Sequence, residues 1–419
     1  MLTRLVHRVQ EVALGDRTSL AGGTLTVSAP EAAALFNDAA LAGVHLTWAS
    51  PGRSVRIVKV LDAVEPRTKG PGGGGIFPGF VGRAVPQGHG ETHVLRGVAV
   101  VTAGFLPRAQ EAVVDMSGPA AELSPLGATH NLVVEFTPAD EAPWEAVEAA
   151  LRTGCLALAA HVAEAALGVE PDEVEALPDP STKPGDLPRV GAITNLQTQG
   201  AFKDVFVYGR SLSAGLPTLI DPGEVDDGAV VSGQYGHPAL KNPTFVHQNH
   251  PVVNELRRRH GVDLQFAGLV IAPEPVNMAD KQLISILAAR VCAAAGFDAA
   301  VVTKEGGGNA DADMALKMDA LEELGLTAVG LFGELAGSDG TGPSLVVPPE
   351  KATAMVSTGN YDTRLVLPAV ELALGGDDMR LLGVPAADEL TLPAAVVYCS
   401  LSCLGWGRYT ATADPLVGV

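Results

Sequence analysis

The chain has 419 residues, of which 47% are hydrophobic and 18% charged, and its formal net charge is −20. This length predicts about two or three domains, and the apolar fraction is high enough for packed cores rather than disorder. An acidic surface repels phosphate backbones, so the charge argues against nucleic acid as a partner.

The beginning of the chain and its cysteines bear on the cellular compartment. Residues 1–10 alternate apolar and charged side chains and lack the apolar core of a signal peptide. No run reaches the roughly 18 consecutive apolar residues that a membrane helix needs. The four cysteines lie far apart or inside apolar segments, as is typical of a reducing compartment. We therefore expect a cytoplasmic protein with no membrane partner.

The first half of the chain has a strand-like pattern. β-branched residues and partial alternation predict strands at 23–28, 54–60, 93–102 and 129–136. A glycine-rich stretch, 69–82, lies between the second and the third of these. This stretch is either a flexible surface loop or an ordered loop at a site or interface. Apolar side chains that could pack against the protein favour the ordered loop; they are Ile76, Phe77, Phe80 and Val81. We favour the ordered loop.

The longest predicted helix covers 143–168, with Pro at its start and Gly at its end. A Pro- and acid-rich connector, 171–188, follows it. From residue 261 strands and helices alternate regularly, with strands at 266–272, 299–303, 327–332 and 354–357 and helices at 279–296 and 311–325.

This pattern predicts an α/β fold with a strand-rich N-terminal half and, in the C-terminal half, an open, mostly parallel sheet flanked by helices. We expect three parts. Residues 1–185 form a strand-rich region with the glycine loop and a long helix, 186–260 form a connecting region, and 261–419 form the parallel α/β domain.

Acidic and amide residues follow the C-terminal strands, and ligands bind outside the carboxyl ends of strands in open parallel sheets. These residues are Glu274, Asn277, Glu305, Asn309, Glu334 and Asn360. Converging on one edge, they would hold an ammonium group, act as acid and base, or bind a hard cation. Alternatively, each simply caps a helix or makes a turn.

Two other clusters point to no ligand. His237, His247 and His250 are close in sequence, but no Cys or HExxH partner accompanies them, so no metal site is predicted. The run Arg257-Arg258-Arg259 is typical of a solvated helix end.

A series of motifs resembles the proprotein subunit of glycine/sarcosine/betaine reductase component B. The resemblance runs in order from about residue 20 to 370. It is carried by residues 60–71, 75–82, 115–119, 196–200, 207–209, 227–233, Lys241-Asn242, 247–249, 279–281, Glu305-Gly-Gly-Gly-Asn309 and Ser357-Thr-Gly-Asn360.

The resemblance implies a chemistry that composition does not reveal. Members of the family cleave themselves before a cysteine, which becomes a pyruvoyl group that engages the substrate amine. A thiolate or selenolate from a partner then displaces the amine. The resemblance therefore implies a small amine or amino-acid-like substrate, a thiol- or selenol-bearing partner subunit and a hetero-oligomer.

The chain departs from the family at the cleavage segment. The family reads roughly Ser-Gly-Asn-Cys before Lys-Asn, whereas here Gln234 and Tyr235 follow Ser232-Gly233. Tyrosine cannot undergo the N-to-acyl shift and elimination that make a pyruvoyl group. Ser232, three residues earlier, is an alternative source of the group that we do not favour. We therefore expect an intact chain with pyruvoyl absent, and no other cofactor is predicted.

Two hypotheses remain open. In the first, the chain is an enzyme subunit in amino-acid metabolism that cleaves a C–N or similar bond of a substrate with its own leaving group, such as a quaternary ammonium. Tyr235, His237 and Glu305 are then the catalytic candidates, and Glu274, Asn277, Asn309, Glu334 and Asn360 bind the substrate. In the second, it is a non-catalytic scaffold subunit of a reductase-like complex.

Overall fold

The computed structural model describes residues 1–70, 74–107, 109, 111–178, 180, 185–198, 205–233, 241–352 and 354–401. Within these residues the fold is mixed α/β, and its largest sheet is mostly parallel and flanked by helices, as the sequence predicts.

Up to residue 138 the described chain consists of strands with two short α-helices. The elements are β1 (Leu2–Arg8), β2 (Glu11–Gly15), β3 (Ser19–Ala21), β4 (Thr24–Ser28), α1 (Ala29–Ala34), β5 (Leu41–Ala49), β6 (Val55–Val58), β7 (Val60–Val64), β8 (Arg67–Lys69), β9 (Gly90–Arg96), β10 (Val98–Ala103), β11 (Val113–Asp115), α2 (Gly118–Ala121) and β12 (His130–Pro138).

Two predicted strands are each divided in the structure. The chain turns at Gly97, whose φ of 91° suits glycine, so 93–102 becomes β9 and β10. Lys59 has a φ of 54° and separates β6 from β7. β6 pairs with β11, whereas β7 pairs with β10 in another sheet. Lys59 is thus the point at which the chain changes sheets.

The long helix α3 (Trp144–Glu164) is the centre of the N-terminal core. It contacts β8 and β10, and its apolar residues, among them Leu151 and Leu158, are fully buried. Gly154 permits this packing, since a Cβ there would lie 2.4 Å from the Phe36 ring. By length and composition α3 would suffice to cross a membrane, but 72% of its most apolar window is buried inside the protein, as in the core helix of a soluble protein.

The middle of the chain contributes short strands, helices and the large sheet. Its elements are β13 (Glu173–Ala176), β14 (Arg189–Gln197), β15 (Phe206–Val207), β16 (Arg210–Ser211), β17 (Thr218–Ile220), α4 (Pro222–Asp226), β18 (Val230–Val231), α5 (Thr244–Gln248), α6 (Pro251–Arg259), β19 (Gln265–Glu274), α7 (Met278–Ala294), β20 (Ala299–Thr303), α8 (Asn309–Glu323), β21 (Thr327–Glu334) and β22 (Ala354–Asn360).

The large sheet has the strand order β17-β19-β14-β20-β21-β22, and only β17 runs antiparallel to its neighbour. The sequence predicts that the parallel region begins at residue 261. In the structure β14, a strand near the centre of this sheet, comes from earlier in the chain. Every residue of β19 is buried, as expected for a strand covered on both faces. Side chains of α7 and α8 such as Ala288 and Met318 pack on one face, and those of α6 such as Val253 pack on the other.

The last described residues return to the N-terminal strands. They form β23 (Arg364–Leu367), β24 (Leu372–Leu374), β25 (Asp378–Met379), β26 (Val384–Pro385) and β27 (Leu390–Pro393). β24 pairs in parallel with β6, which is more than 300 residues earlier in the chain. A segment near the end of the described chain and one from its first sixty residues therefore share a sheet.

Candidate functional site

Three strands of the large sheet end side by side at the point where the order of connections reverses. β14 lies between β19 and β20, and the chain leaves it first toward β19 and then crosses to β20. Gln197 ends β14, Glu274 ends β19, and Glu305 follows β20 by two residues. Such a reversal opens a crevice at the carboxyl ends of the strands, which is the usual ligand position in open α/β sheets.

Glu305 is fully buried and accepts hydrogen bonds from two backbone amides. The Gln197 amide donates to its Oε2 at 2.8 Å, and the Asn242 amide donates to its Oε1 at 2.8 Å. His247 Nε2 lies 3.5 Å from the same Oε1. Burial alone would raise the pKa of Glu305, but the His247 imidazole, the Lys241 ammonium and the Gln197 amide together hold it below its usual value. Glu305 is therefore an ionised carboxylate.

Glu274 is equally buried, but its pKa is shifted in the opposite direction from that of Glu305. Its Oε1 accepts from the Glu305 amide at 3.1 Å, and its Oε2 has no hydrogen-bond partner among the described residues. Burial raises the pKa of Glu274 well above its usual value, and the nearby Asp313 and Glu305 raise it further. Adjacent carboxyl groups with pKa values shifted apart can serve as proton donor and proton acceptor.

A buried cluster of lysines and aspartates packs beside this pair. Lys281 forms an ion pair with Asp313, and Lys317 Nζ lies 3.8 Å from Asp313 Oδ1. Lys304, directly before Glu305, forms an ion pair with Asp311 at 2.5 Å. Burial lowers the pKa of Lys317, although Asp313 opposes that shift. These pairs supply fixed charges to a region from which water is excluded.

A third buried carboxyl group, Asp62, reaches the site from β7 in the N-terminal part. Its Oδ1 accepts from the Thr244 amide at 2.9 Å and its Oδ2 accepts from the Thr244 hydroxyl at 2.7 Å. The Thr244 hydroxyl in turn accepts from the Ser232 amide at 2.9 Å. Asp62 thus fixes Ser232 through Thr244, while Glu305 fixes Asn242. Two carboxyl groups from different sheets hold the residues on either side of 234–240.

The predicted site residues fall into several groups. Gln234, Tyr235 and His237 lie outside the described residues. Glu274 and Glu305 are brought together by the hydrogen bond described above.

Two of the three predicted asparagines are exposed at the beginning of a helix. Asn277 is the N-cap of α7 and accepts from the Asp280 amide at 2.9 Å. Asn309 is the first residue of α8, and its amide nitrogen is 3.4 Å from the Val276 carbonyl.

Glu334 and Asn360 form a separate pair at the ends of β21 and β22. They are register partners, and both bind the loop that follows β21. The Ser344 hydroxyl donates to Glu334 at 2.9 Å, and the Asn360 side chain donates to the Gly337 carbonyl at 2.7 Å.

The described part of the glycine loop, 74–82, packs against the 207–209 and 227–228 segments. The Phe77 amide donates to the Asp227 carbonyl at 2.9 Å, and the Phe77 side chain is fully buried. A Cβ on Gly79 would lie 2.2 Å from the Tyr208 carbonyl oxygen, so only glycine permits this approach. Three motifs that are far apart in the sequence meet in this contact.

Neither metal ligands nor reactive thiols are found in the described part of the chain. Among these residues no three His, Cys, Asp or Glu side chains are grouped to hold a metal ion. Cys155, Cys292 and Cys399 are buried. Burial raises the pKa of Cys155 and of Cys292 to about 12, so both are protonated thiols at neutral pH.

Sequence reasoning missed Asp62, Asp313 and the buried lysines. One signal was available for Asp62, which is the single charged residue in the apolar strand β7, because a charge in a buried strand needs a partner. Lys281 and Lys317 lie on helices that carry many polar residues, so their pattern does not distinguish them from solvated lysines.

Comparison with known proteins agrees with the resemblance. The family model for "Glycine/sarcosine/betaine reductase component B subunits" matches residues 1–389. The glycine reductase complex component B subunits alpha and beta of Peptoclostridium acidaminophilum are 39% identical over 373 residues, covering 88% of this chain and 87% of the relative.

Two further relatives come from the same organism. The sarcosine reductase complex component B subunit alpha is 35% identical over 376 residues, covering 88% of this chain and 87% of the relative. The betaine reductase complex component B subunit alpha is 30% identical over 435 residues, covering 96% and 97%. No solved structure matches the chain.

Proposed function

Because the chain belongs to the family of glycine/sarcosine/betaine reductase component B subunits, we propose that it acts in the reductive cleavage of a C–N bond in a small amino-acid-like substrate. The chain acts uncleaved and without pyruvoyl. A thiol or selenol on a partner subunit attacks the substrate carbon, the C–N bond breaks, and the amine leaves with the electron pair.

The buried carboxylate Glu305 is the observation that carries this proposal. It stays ionised although it is fully buried, and backbone N–H donors and the His247 imidazole contact its oxygens. A carboxylate held in this way attracts a cationic substrate group more strongly than it would in water. Glu274, which holds its proton, is the complementary acid.

The residues around 234–240 do not fit a pyruvoyl group. Such a group needs a cysteine or serine at the cleavage point, and Tyr235 occupies that position. Without a carbonyl to capture the amine, the substrate must already carry a good leaving group, and a quaternary ammonium meets this need. Tyr235 and His237 are the candidates for orienting the substrate or protonating a leaving group.

We infer that the attacking sulfur or selenium comes from another chain; the fourth cysteine, Cys403, lies outside the described residues. The described cysteines are buried, and those whose pKa is shifted, Cys155 and Cys292, are protonated at neutral pH. These buried thiols support the proposal that a partner subunit supplies the nucleophile, in a cytoplasmic hetero-oligomer.

A scaffold role is the second candidate. The described contacts that hold Ser232 and Asn242 in place could preserve a binding surface for another subunit without performing chemistry. This reading predicts that the buried carboxylates matter for folding alone.

Substitution of Glu305 in the assembled complex tests the proposal. With betaine as substrate and the co-purified partner present, we expect trimethylamine release and no ammonia release from glycine. Glu305→Gln should lower kcat by about 100-fold or more, because it removes the charge but keeps the shape. Glu323→Gln is the matched control, since Glu323 is exposed and paired with Lys351.

The two candidate functions give different outcomes. Full activity of a folded Glu305→Gln complex would support the scaffold. Turnover by this chain alone, with no thiol or selenol present, would contradict the proposed mechanism.

A further inference from the structure

A cavity of about 530 Å³ lies away from the Glu305 crevice, where the N-terminal strands meet the last described residues. Its walls include Lys59 between β6 and β7, Phe105 and Leu106 after β10, and Leu381 and Val396 near the C-terminus. This volume is in the range of small-molecule sites, and most of its wall is apolar.

Lys59 provides a buried cation at the wall of this cavity. Its side chain is only 7% exposed, and its ammonium donates to Asp378 Oδ1 at 2.6 Å. Within the described chain this is the only hydrogen bond of the ammonium, which has three N–H donors. The Asp378 side chain is 59% exposed, so the buried cation depends on a carboxylate that lies largely in water.

The backbone at Lys59 is strained in a way that fixes this side chain. A φ of 54° is costly for a residue with a Cβ, and such strain persists only where the surrounding structure imposes it. The loop between β24 and β25 lies close to this side chain. A Cβ on Gly376 in that loop would lie only 2.6 Å from Lys59 Nζ. The ammonium is thus held in place before any ligand arrives.

A second cation, Arg380, stands over the aromatic wall. Its guanidinium carbon lies 3.8 Å from the centre of the Phe105 ring. Glu111 holds this loop, because its two carboxylate oxygens accept from the Arg380 amide at 2.9 Å and from the Leu381 amide at 2.7 Å. The carboxylate oxygens of Glu111, the one acidic residue of the cavity wall, thus face backbone N–H donors. Arg380 Nε also lies 3.8 Å from Asp378 Oδ2, so the two cations of the wall share a single carboxylate, which is not itself part of the wall.

We propose that this cavity binds a small organic carboxylate with an apolar body. The carboxylate accepts from the Lys59 ammonium and displaces Asp378, and the apolar body packs on Phe105, Leu106 and Leu381. Arg380 reinforces the preference for an anion. This site goes beyond the proposed function, since no step of the C–N cleavage uses it.

Calorimetric titration of the full-length protein with benzoate tests the proposal, with neutral benzamide as the matched ligand. We expect saturable binding of benzoate and at least about tenfold weaker binding of benzamide. Lys59→Gln should weaken benzoate binding about ten- to hundredfold, because it removes a charged hydrogen bond. Asp378→Asn should strengthen it several-fold, because it removes the competing carboxylate.

Lys351→Gln is the control variant, since Lys351 is an exposed lysine paired with Glu323, and it should bind benzoate like the wild type. The opposite effects expected for Lys59→Gln and Asp378→Asn keep the test decisive even where one variant folds poorly. Equal binding of benzoate and benzamide, weaker binding in Asp378→Asn, or no saturable binding would overturn the proposal.

Discussion

At the scale of single residues, the site depends on carboxyl groups that burial alone would neutralise. Burial raises the pKa of Asp62 to about 7, despite the hydrogen bonds from Thr244. Glu305, equally buried, keeps its charge because more donors and cations surround it. The same residue chemistry therefore yields a carboxyl group that loses its proton only around neutral pH in one case and an anion in the other.

The raised pKa of Asp62 makes a prediction about stability and pH. The folded state binds this proton more tightly than the unfolded state, so the stabilisation is complete below pH 4 and is lost as the pH rises toward 7. Asparagine does not ionise, so Asp62→Asn removes this pH-dependent loss of stability. Its free energy of unfolding relative to wild type should therefore increase by about 2–3 kcal/mol between pH 5 and pH 8.

Urea unfolding at both pH values measures this difference, and Asp16→Asn, a change at an exposed carboxylate, is the control. A difference between Asp62→Asn and wild type that does not change with pH would show that Asp62 is ionised throughout this range.

Sequence reasoning reached some of these residues through a general rule. Glu274 and Glu305 follow from the position of ligands at strand ends, and the structure joins them by a hydrogen bond. The prediction for the arginine run was wrong for Arg257, which is buried and bonds Asp226 at 2.6 Å, although Arg258 is exposed. A run of like charges does not reveal which helix face turns inward.

At the scale of elements, the glycine loop is defined by its close contacts. Gly79 and Gly209 face each other, and a Cβ on Gly209 would lie 2.5 Å from the Gly79 carbonyl oxygen. Both glycines also have positive φ, of 90° and 72°. The loop and the 207–209 turn therefore form a single packed unit.

Alanine substitution tests this packing. Gly79→Ala should cost at least about 2 kcal/mol more than Gly22→Ala, because both have positive φ but only Gly79 meets backbone atoms. Denaturant midpoints of the two variants and the wild type measure the difference. Equal costs would mean that the loop does not dock on Tyr208.

Element prediction succeeded best where the pattern is local. The alternating strands and helices after residue 261 were predicted close to their observed bounds, with β20 matching at both ends. The division of 54–60 at Lys59 was not predicted, because a non-glycine residue with positive φ leaves no mark in the hydrophobic pattern.

At the scale of the whole molecule, distant parts of the chain are joined by ion pairs and by strand pairing. Asp226 bonds Arg4 of β1 at 3.2 Å and Arg257 of α6 at 2.6 Å, and its backbone carbonyl accepts from Arg67 of β8 at 2.8 Å. Burial and these arginines act against each other, and the net effect lowers the pKa of Asp226. Composition and periodicity do not predict such pairings, because they carry no information about which distant segments meet.

The proposed absence of cleavage is the central claim about the whole molecule, and it rests on Tyr235 at the position where the resemblance implies a cysteine. The denatured intact mass of the purified protein measures it directly. We expect a single species near 42.9 kDa, the mass of the uncleaved 419-residue chain. Two fragments that divide between residues 231 and 235, with the smaller, C-terminal fragment lacking a free amine, would contradict it, since another residue would then have made the carbonyl.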